Sequence, residues 1–335
     1  MTIQQPTPTT YAAMLGLGVH RPERVVTNDE ICEVLDSTDE WIQTRSGIRT
    51  RRFVGEGETL IGMSVAAAER ALAAAKVDAD QVGCVIVATS THPEHTPASA
   101  AQVADALGST AAAFDISAGC AGFCHALNLA ASMVRAGAES HVLVIGVEQL
   151  SRFMDPADRG TAFIFADGAG AVVVGPAESA GIGPTAWGSD GSQAHVITQT
   201  PSCLGGHASE SGFDHPVVQM EGTAVFRWAP FAMAKVAHEA LELAGIGVDD
   251  LDAFVPHQAN LRITQTLAKN IGLPDSVAVA TDVIDSGNTS AASVPLAIEA
   301  MLTSGQAEAG DTALLIAFGA GLSYAGQVVT LPPLG

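Results

Sequence analysis

Three short stretches hold the residue types that could do chemistry together. "FDISAGCAGFCHAL" (114–127) breaks a strand-like apolar run at glycine, presents Cys120, and continues as a helix-like apolar run. A cysteine on a strand-to-helix turn has first-turn N–H groups and the positive dipole end beside it, and both favour a thiolate. Gly119 and Gly122 remove side-chain bulk, so a thioester could approach closely, and the Cys120 backbone N–H could help hold an oxyanion. "FVPHQANLR" sets His257 at the end of a buried-strand pattern, and "SGNTSAAS" sets Asn288 just ahead of a helix. Together they are a nucleophile and two polar partners. Each alone has a structural alternative: a buried small cysteine, a structural histidine, a helix cap.

Their shared register within an internal repeat favours the functional reading. "ALAAAKVDADQVGCVIV" (71–87) resembles "ALELAGIGVDDLDAFVP" (240–256): a helix end, an Asp-containing turn, then a buried strand. "FDISAGCAGF" leads through a helix to the strand "HVLVIG" (141–146), as "DVIDSGNTSAAS" leads to "TALLIAF" (312–318). Gly137 pairs with Gly305 and Cys120 with Asn288, while His257 follows the strand that matches "VIVAT". Short Val/Ile runs alternate with longer Ala/Leu/Glu helical segments, so the chain reads as two α/β halves, 11–176 and 177–335. Equivalent junctions would then meet across a pseudo-twofold interface. The glycines of "GLGVHRP" and "DGAGAVVVG" run into strands and do not complete a dinucleotide loop.

Composition narrows the classes further. Of 335 residues 47% are apolar and 15% charged, enough for a large core and too few charges for disorder. No apolar stretch nears the roughly 20 residues of a membrane span, and the first residues do not read as a signal peptide. A net charge of −21 disfavours nucleic acid and anionic membranes as partners. Five scattered cysteines suggest reduced thiols in a cytoplasm, and none completes a Cys/His metal set; Cys124 reads as a small buried apolar residue. His195, His207 and His215, in the stretch from about 192 to 217, read as ordinary solvated histidines.

"AGCAGF", "PHQAN" and "GNTSAAS", in this order, resemble the β-ketoacyl-ACP synthase III family of thiolase-fold condensing enzymes, in actinobacterial wording. The likeness runs from "LGLGVHRPERVVTN" to "FGAGLSYAG", nearly the whole chain. It implies a thiolase-like fold, two pseudo-equivalent halves in an αβαβα layering. It also implies that Cys120 takes an acyl group from acyl-CoA. His257 and Asn288 would bind the malonyl thioester carbonyl and stabilise the enolate left by loss of CO2. The backbone N–H groups of Cys120 and Ala320 would form the oxyanion hole. No metal and no cofactor would be needed, acyl-CoA and malonyl-ACP being substrates.

The same resemblance places CoA against Trp41, Arg45 and Arg159. Trp41 and Arg45 lie four apart in "DSTDEWIQTRSGIRTRR", read as a helix capped by Ser37 with Glu40. Thr96 would face the acyl pocket of the partner subunit in a homodimer, its small side chain leaving room for branched or longer primers. An acidic carrier protein needs a local basic patch. That contact is placed on Arg227, Gln258, Arg262 and Lys269, with Lys235 in the same stretch. The alternatives are a polyketide-priming synthase with the same three residues and a Cys–His–Asn thioester hydrolase. A non-catalytic binding module ranks last, since it leaves the three residues without a task.

Overall fold

Ten strands in two sheets carry the molecule, and their order is the same twice. The computed structural model describes residues 8, 11–202 and 215–334. In the first half the strands are β1 (Tyr11–His20), β2 (Cys84–Ala88), β3 (Ala112–Ile116), β4 (Val142–Gln149) and β5 (Asp167–Ala177). The second half has β6 (Ile182–Ser189), β7 (Ala253–Pro256), β8 (Ala278–Val279), β9 (Thr312–Gly319) and β10 (Ser323–Thr330). The sheets run β1-β5-β4-β2-β3 and β6-β10-β9-β7-β8, so every strand of one corresponds to the strand five later in the other. In each, the three strands at one end are parallel, and the two at the other end run antiparallel to them or to one another. Short antiparallel ribbons, 24–27 with 50–53 and 197–200 with 217–220, lie outside the sheets.

Helices fill three layers around these sheets. The chain adds α1 (Asp39–Ser46), α2 (Leu60–Ala75), α3 (Ser99–Ala106), α4 (Gly122–Arg135), α5 (Gly222–Ala244), α6 (Leu261–Ile271) and α7 (Ser293–Ser304). Helices α4 and α7 lie between the sheets: Phe123 and Leu127 pack in one core with Leu296, Ile86, Val144, Val255 and Leu315. Helices α2 and α3 cover the outer face of the first sheet through Met63, Ala67 and Val103, against Val85, Val87 and Ile145. The outer face of the second is covered by α5 and α6, with Met233 and Leu267 on Phe254 and Leu314. This is the expected αβαβα order. Strands buried on both faces must be apolar throughout, which is why "CVIVA" and "VLVIGV" do not alternate. Each fully buried Leu, Ile or Phe contributes roughly 1.5–3 kcal/mol.

The glycines of "GLGVHRP" serve packing. A Cβ on Gly18 of β1 would sit 2.3 Å from the Ala67 carbonyl oxygen of α2, so only glycine allows that approach. The repeat also holds in detail, with one correction. Gly137 and Gly305 both end their helices in the left-handed region, at φ 70° and 71°. The 3-10 turn Gly119–Ala121 before α4, however, matches Ser290–Ala292 before α7. Counted from the helix starts, Cys120 therefore corresponds to Ala291, and Asn288 lies three residues upstream, because α7 is shorter than α4. Between the halves, the first sheet ends at Ala177 and the second begins at Ile182. No helix among the described residues is long and apolar enough to cross a membrane.

Candidate active site

A cavity of about 230 Å³ opens where the two halves meet, and Cys120, His257 and Asn288 all line it. Ser90, Ser290 and Ala320 are also in its wall. Cys120 is carried by the turn between β3 and α4. Gly119 there holds φ +53°, which suits glycine, and a Cβ on it would lie 2.7 Å from the Ala320 nitrogen. A Cβ on Gly319 would lie 2.3 Å from the Cys120 nitrogen. The end of β9 is thus pressed against the cysteine turn, bringing the backbone of Ala320 beside that of Cys120.

His257 follows β7 directly. Its N–H donates to the Ile316 carbonyl at 2.6 Å, and its Nδ1 lies 2.6 Å from the Ser293 hydroxyl. That hydroxyl also accepts from the Gln258 N–H; its own proton given to Nδ1 would leave Nε2 as the protonated ring nitrogen. Phe318 meets the imidazole edge-on at 5.4 Å. Burial lowers the His257 pKa to about 3, so the ring is neutral.

Asn288 is bolted between the halves through its backbone, its N–H donating to Ile164 and its carbonyl accepting from Ala166, both at 2.9 Å. Its Oδ1 accepts from the Ser290 N–H at 2.8 Å, so the amide NH₂ is the end free to donate into the cavity. His257 and Asn288 hence present two neutral donors, the arrangement that stabilises a developing enolate oxygen.

The thiol is not the low-pKa group that its place before a helix suggests. Burial pushes Cys120 up to about 12; the neighbouring Ser290 hydroxyl acts to lower it, the Glu148 charge raises it, and its own N–H lowers it. The turn's N–H groups are present, but desolvation of the sulfur outweighs them. Glu148 and Ser290 were not singled out from the sequence. They are 142 residues apart, and no local pattern marks a carboxylate within a buried strand.

Trp41 projects from α1 with the Arg45 guanidinium 5.6 Å and that of Arg159 5.0 Å from its ring centre. Phe163 holds the indole edge-on at 5.2 Å. The three residues expected at CoA therefore form one stack. The cap of α1 is corrected: Thr38, not Ser37, accepts from the Trp41 N–H, because the helix begins at Asp39.

Arg227 and Lys235 are exposed on α5, with Phe231 between them, 63% exposed and on the same face by its spacing of four. Exposed Arg262 and Lys269 follow on α6, and Arg262 lies 5.1 Å over the Phe226 ring. Gln258 is a correction. It is fully buried, its amide donating to the Pro256 and Ala280 carbonyls and accepting from the Val283 N–H. It braces the loop beneath His257 and offers nothing to a surface partner. Thr96 is exposed in the segment between β2 and α3, outside the cavity wall of this chain. His195 lies in the 3-10 turn Gly191–Val196, and His215 Nε2 is 3.0 Å from the Arg152 carbonyl oxygen. His207 and Cys203 fall outside the described residues. Among the described residues no group of His, Cys, Asp and Glu is placed to hold a metal ion.

Comparison with known proteins shows the family and the fold. The family described as 3-oxoacyl-[acyl-carrier-protein] synthase III matches residues 114–191, and its C-terminal part matches 241–331. The β-ketoacyl-[acyl-carrier-protein] synthase III 1 of Streptomyces coelicolor is 55% identical over 332 residues, 96% of this chain and 97% of that protein. The corresponding Streptomyces glaucescens enzyme is 56% identical over 324 residues, 96% of this chain and 97% of its own. The priming β-ketosynthase of the R1128 polyketide pathway superposes with a TM-score of 0.95 at 46% identity, covering 99% of both chains. By these matches the chain belongs to the β-ketoacyl-[acyl-carrier-protein] synthase III family of thiolase-fold condensing enzymes.

Proposed function

We propose that this acyltransferase starts fatty-acid chains in two half-reactions at the cavity between its halves. Cys120 attacks an acyl-CoA, forming acyl-Cys120 and releasing CoA. Malonyl-ACP then loses CO2; its thioester carbonyl, held by His257 Nε2–H and the Asn288 amide, becomes an enolate. The enolate carbon attacks the acyl-Cys120 carbonyl, Cys120 and Ala320 N–H groups hold the oxyanion, and collapse gives 3-oxoacyl-ACP and the free cysteine. Loss of CO2 drives the condensation, so this chemistry calls on no metal or redox cofactor. The observation that carries the reading is one cavity holding a thiol beside two neutral hydrogen-bond donors.

In this reading Trp41, Arg45 and Arg159 clasp CoA. The face of α5 and α6 bearing Arg227, Arg262, Lys235, Lys269 and exposed Phe231 receives the acidic carrier protein. Strand β3 is a sheet edge with Phe114 38% exposed, and an unpaired edge favours pairing with a second copy. In that homodimer, Thr96 reaches the partner's acyl pocket and leaves room for primers larger than acetyl. The likeness to a polyketide-priming enzyme favours one second reading, the same chemistry on another pathway's carrier protein.

Intact-mass detection of acyl-Cys120 after a panel of acyl-CoAs, followed by malonyl-ACP, tests the scheme. Persistent acyl-enzyme that turns over only with malonyl-ACP is expected; rapid hydrolysis without it would instead mark a thioesterase. Asn288→Ala should still acylate but release CO2 on the order of 10²–10³ more slowly. Loss of acylation with normal CO2 release would reverse the assigned roles.

A further inference from the structure

Acyl transfer needs a base for the thiol, and His257 suits another task, since its neutral ring is fixed by Ser293 as a donor. Glu148, next to last in β4, is fully buried and receives hydrogen bonds from neutral groups. They are the hydroxyls of Thr89 (3.3 Å), Ser90 (2.9 Å) and Thr91 (2.6 Å), the Ser90 N–H (3.2 Å), and the Ser290 hydroxyl (3.0 Å). Burying a carboxylate without a cation is costly, and nothing in the packing of β4 requires one. Ser290 sits at φ +48°, a conformation that costs a non-glycine residue energy, and its turn packs against the Cys120 turn, both residues lining the same cavity.

We propose that Ser290 and Glu148 form a proton relay that deprotonates Cys120 during acyl transfer, Ser290 touching the sulfur and Glu148 acting through it. The inference rests on Cys120 being the nucleophile. Before reaction, the Cys120 S–H donates to Ser290 Oγ, whose own O–H donates to Glu148 Oε1. As Sγ bonds to the acyl carbonyl carbon, the thiol proton passes to Ser290 Oγ and the former Ser290 proton to Oε1. When the tetrahedral intermediate breaks its bond to the CoA sulfur, the chain runs backwards. Glu148 then gives its proton to Ser290, and Ser290 gives one to the departing CoA thiolate.

The gain is electrostatic. Ionising a half-buried thiol alone creates a new charge in a poorly solvated site, whereas the relay moves an existing charge from carboxylate to sulfur. Burial raises the Glu148 pKa, which makes it the better acceptor, and the hydrogen bonds from Thr91, Ser90 and Ser290 act in the opposite direction. Cys120 is the titratable group whose ionisation its charge opposes.

Two variants test the relay, with single-turnover acylation of Cys120 and CO2 release from malonyl-ACP read separately. Glutamine cannot take the proton in Glu148→Gln, and glycine accepts the backbone of residue 290 without a hydroxyl in Ser290→Gly. Both should slow acylation by about 100-fold or more while CO2 release stays within about threefold. The unmodified protein should lose acylation at acid pH as Glu148 takes up a proton, a limb absent from Glu148→Gln. A carboxylate acting only as a nearby charge predicts the opposite sign, since removing it eases thiol ionisation and quickens acylation. Equal or faster acylation by Glu148→Gln therefore overturns the relay, as does a parallel fall of both half-reactions in Ser290→Gly. Should Glu148→Gln fail to fold, Ser290→Gly decides. If the unmodified protein takes no acyl group on Cys120, the nucleophile assignment falls and the relay with it. Acylation of the unmodified protein matched by both variants removes the relay alone.

Discussion

Replacing Gly319 by alanine separates the two oxyanion sites without removing a group that reacts. The added Cβ would sit 2.3 Å from the Cys120 nitrogen and 3.0 Å from the Cys120 Cβ, against an ordinary contact near 3.4 Å. The end of β9 and the cysteine turn must then part by about 1 Å. Both backbone donors assigned to the acyl oxyanion ride on these segments. A misplacement of about 1 Å costs roughly 100-fold in rate, about 2.7 kcal/mol at the barrier. Asn288 is anchored away from these segments, on Ile164 and Ala166, and His257 on Ile316, three residues before Gly319 in β9. Gly319→Ala should thus slow acyl transfer roughly 100-fold and leave CO2 release nearly unchanged. The assay is transfer of labelled acyl group to Cys120 beside CO2 release from malonyl-ACP, with a thermal melt to measure the roughly 1–3 kcal/mol expected for overpacking. Acylation at the unmodified rate in a folded variant would refute the shared oxyanion geometry, and so would an equal loss in both assays.

Trp41→Ala removes the ring that Arg45 and Arg159 face, and should raise KM for acyl-CoA roughly 3- to 30-fold, matching about 0.5–2 kcal/mol per cation–π contact, with kcat retained. Arg262→Glu should raise KM for malonyl-ACP roughly tenfold, about 1.4 kcal/mol, while CoA-dependent acylation is kept; equal damage to both would make Arg262 structural. Because burial holds His257 near 3, its ring takes a proton only well below neutrality, and CO2 release should show no limb between about pH 5 and 8. An acid limb with a midpoint near 6.5 would show an ordinary, solvated imidazole.

How much of this was legible in the chain depended on whether the signal was local. The strand–turn–helix at Cys120 and the doubled pattern around 84–88 and 253–256 are written in neighbouring residues, so the halves and the layered order could be read. Gln258 was misplaced because sequence does not say which way a side chain turns after a strand ends; here it turns inward to three backbone groups. The thiol was misjudged because a helix start is visible in sequence and desolvation is not. Glu148 was missed for the same reason, its partners Ser90 and Ser290 arriving from both halves of the chain.

The matched strand order bears on how such a chain can change over generations. One residue beyond β2 and the next-to-last residue of β4 touch as Thr89 and Glu148; the corresponding places beyond β7 and in β9 touch as His257 and Phe318. Matched places thus hold a carboxylate among hydroxyls in the first half and an imidazole against an aromatic ring in the second. Twin copies would each tolerate loss of what the other still carried. Once the copies had diverged into complementary parts, that insurance was gone, and a reversion in either one now deletes a function found nowhere else in the chain. Descent from the duplication is therefore a ratchet, and the pair can drift in sequence only so long as it drifts as one.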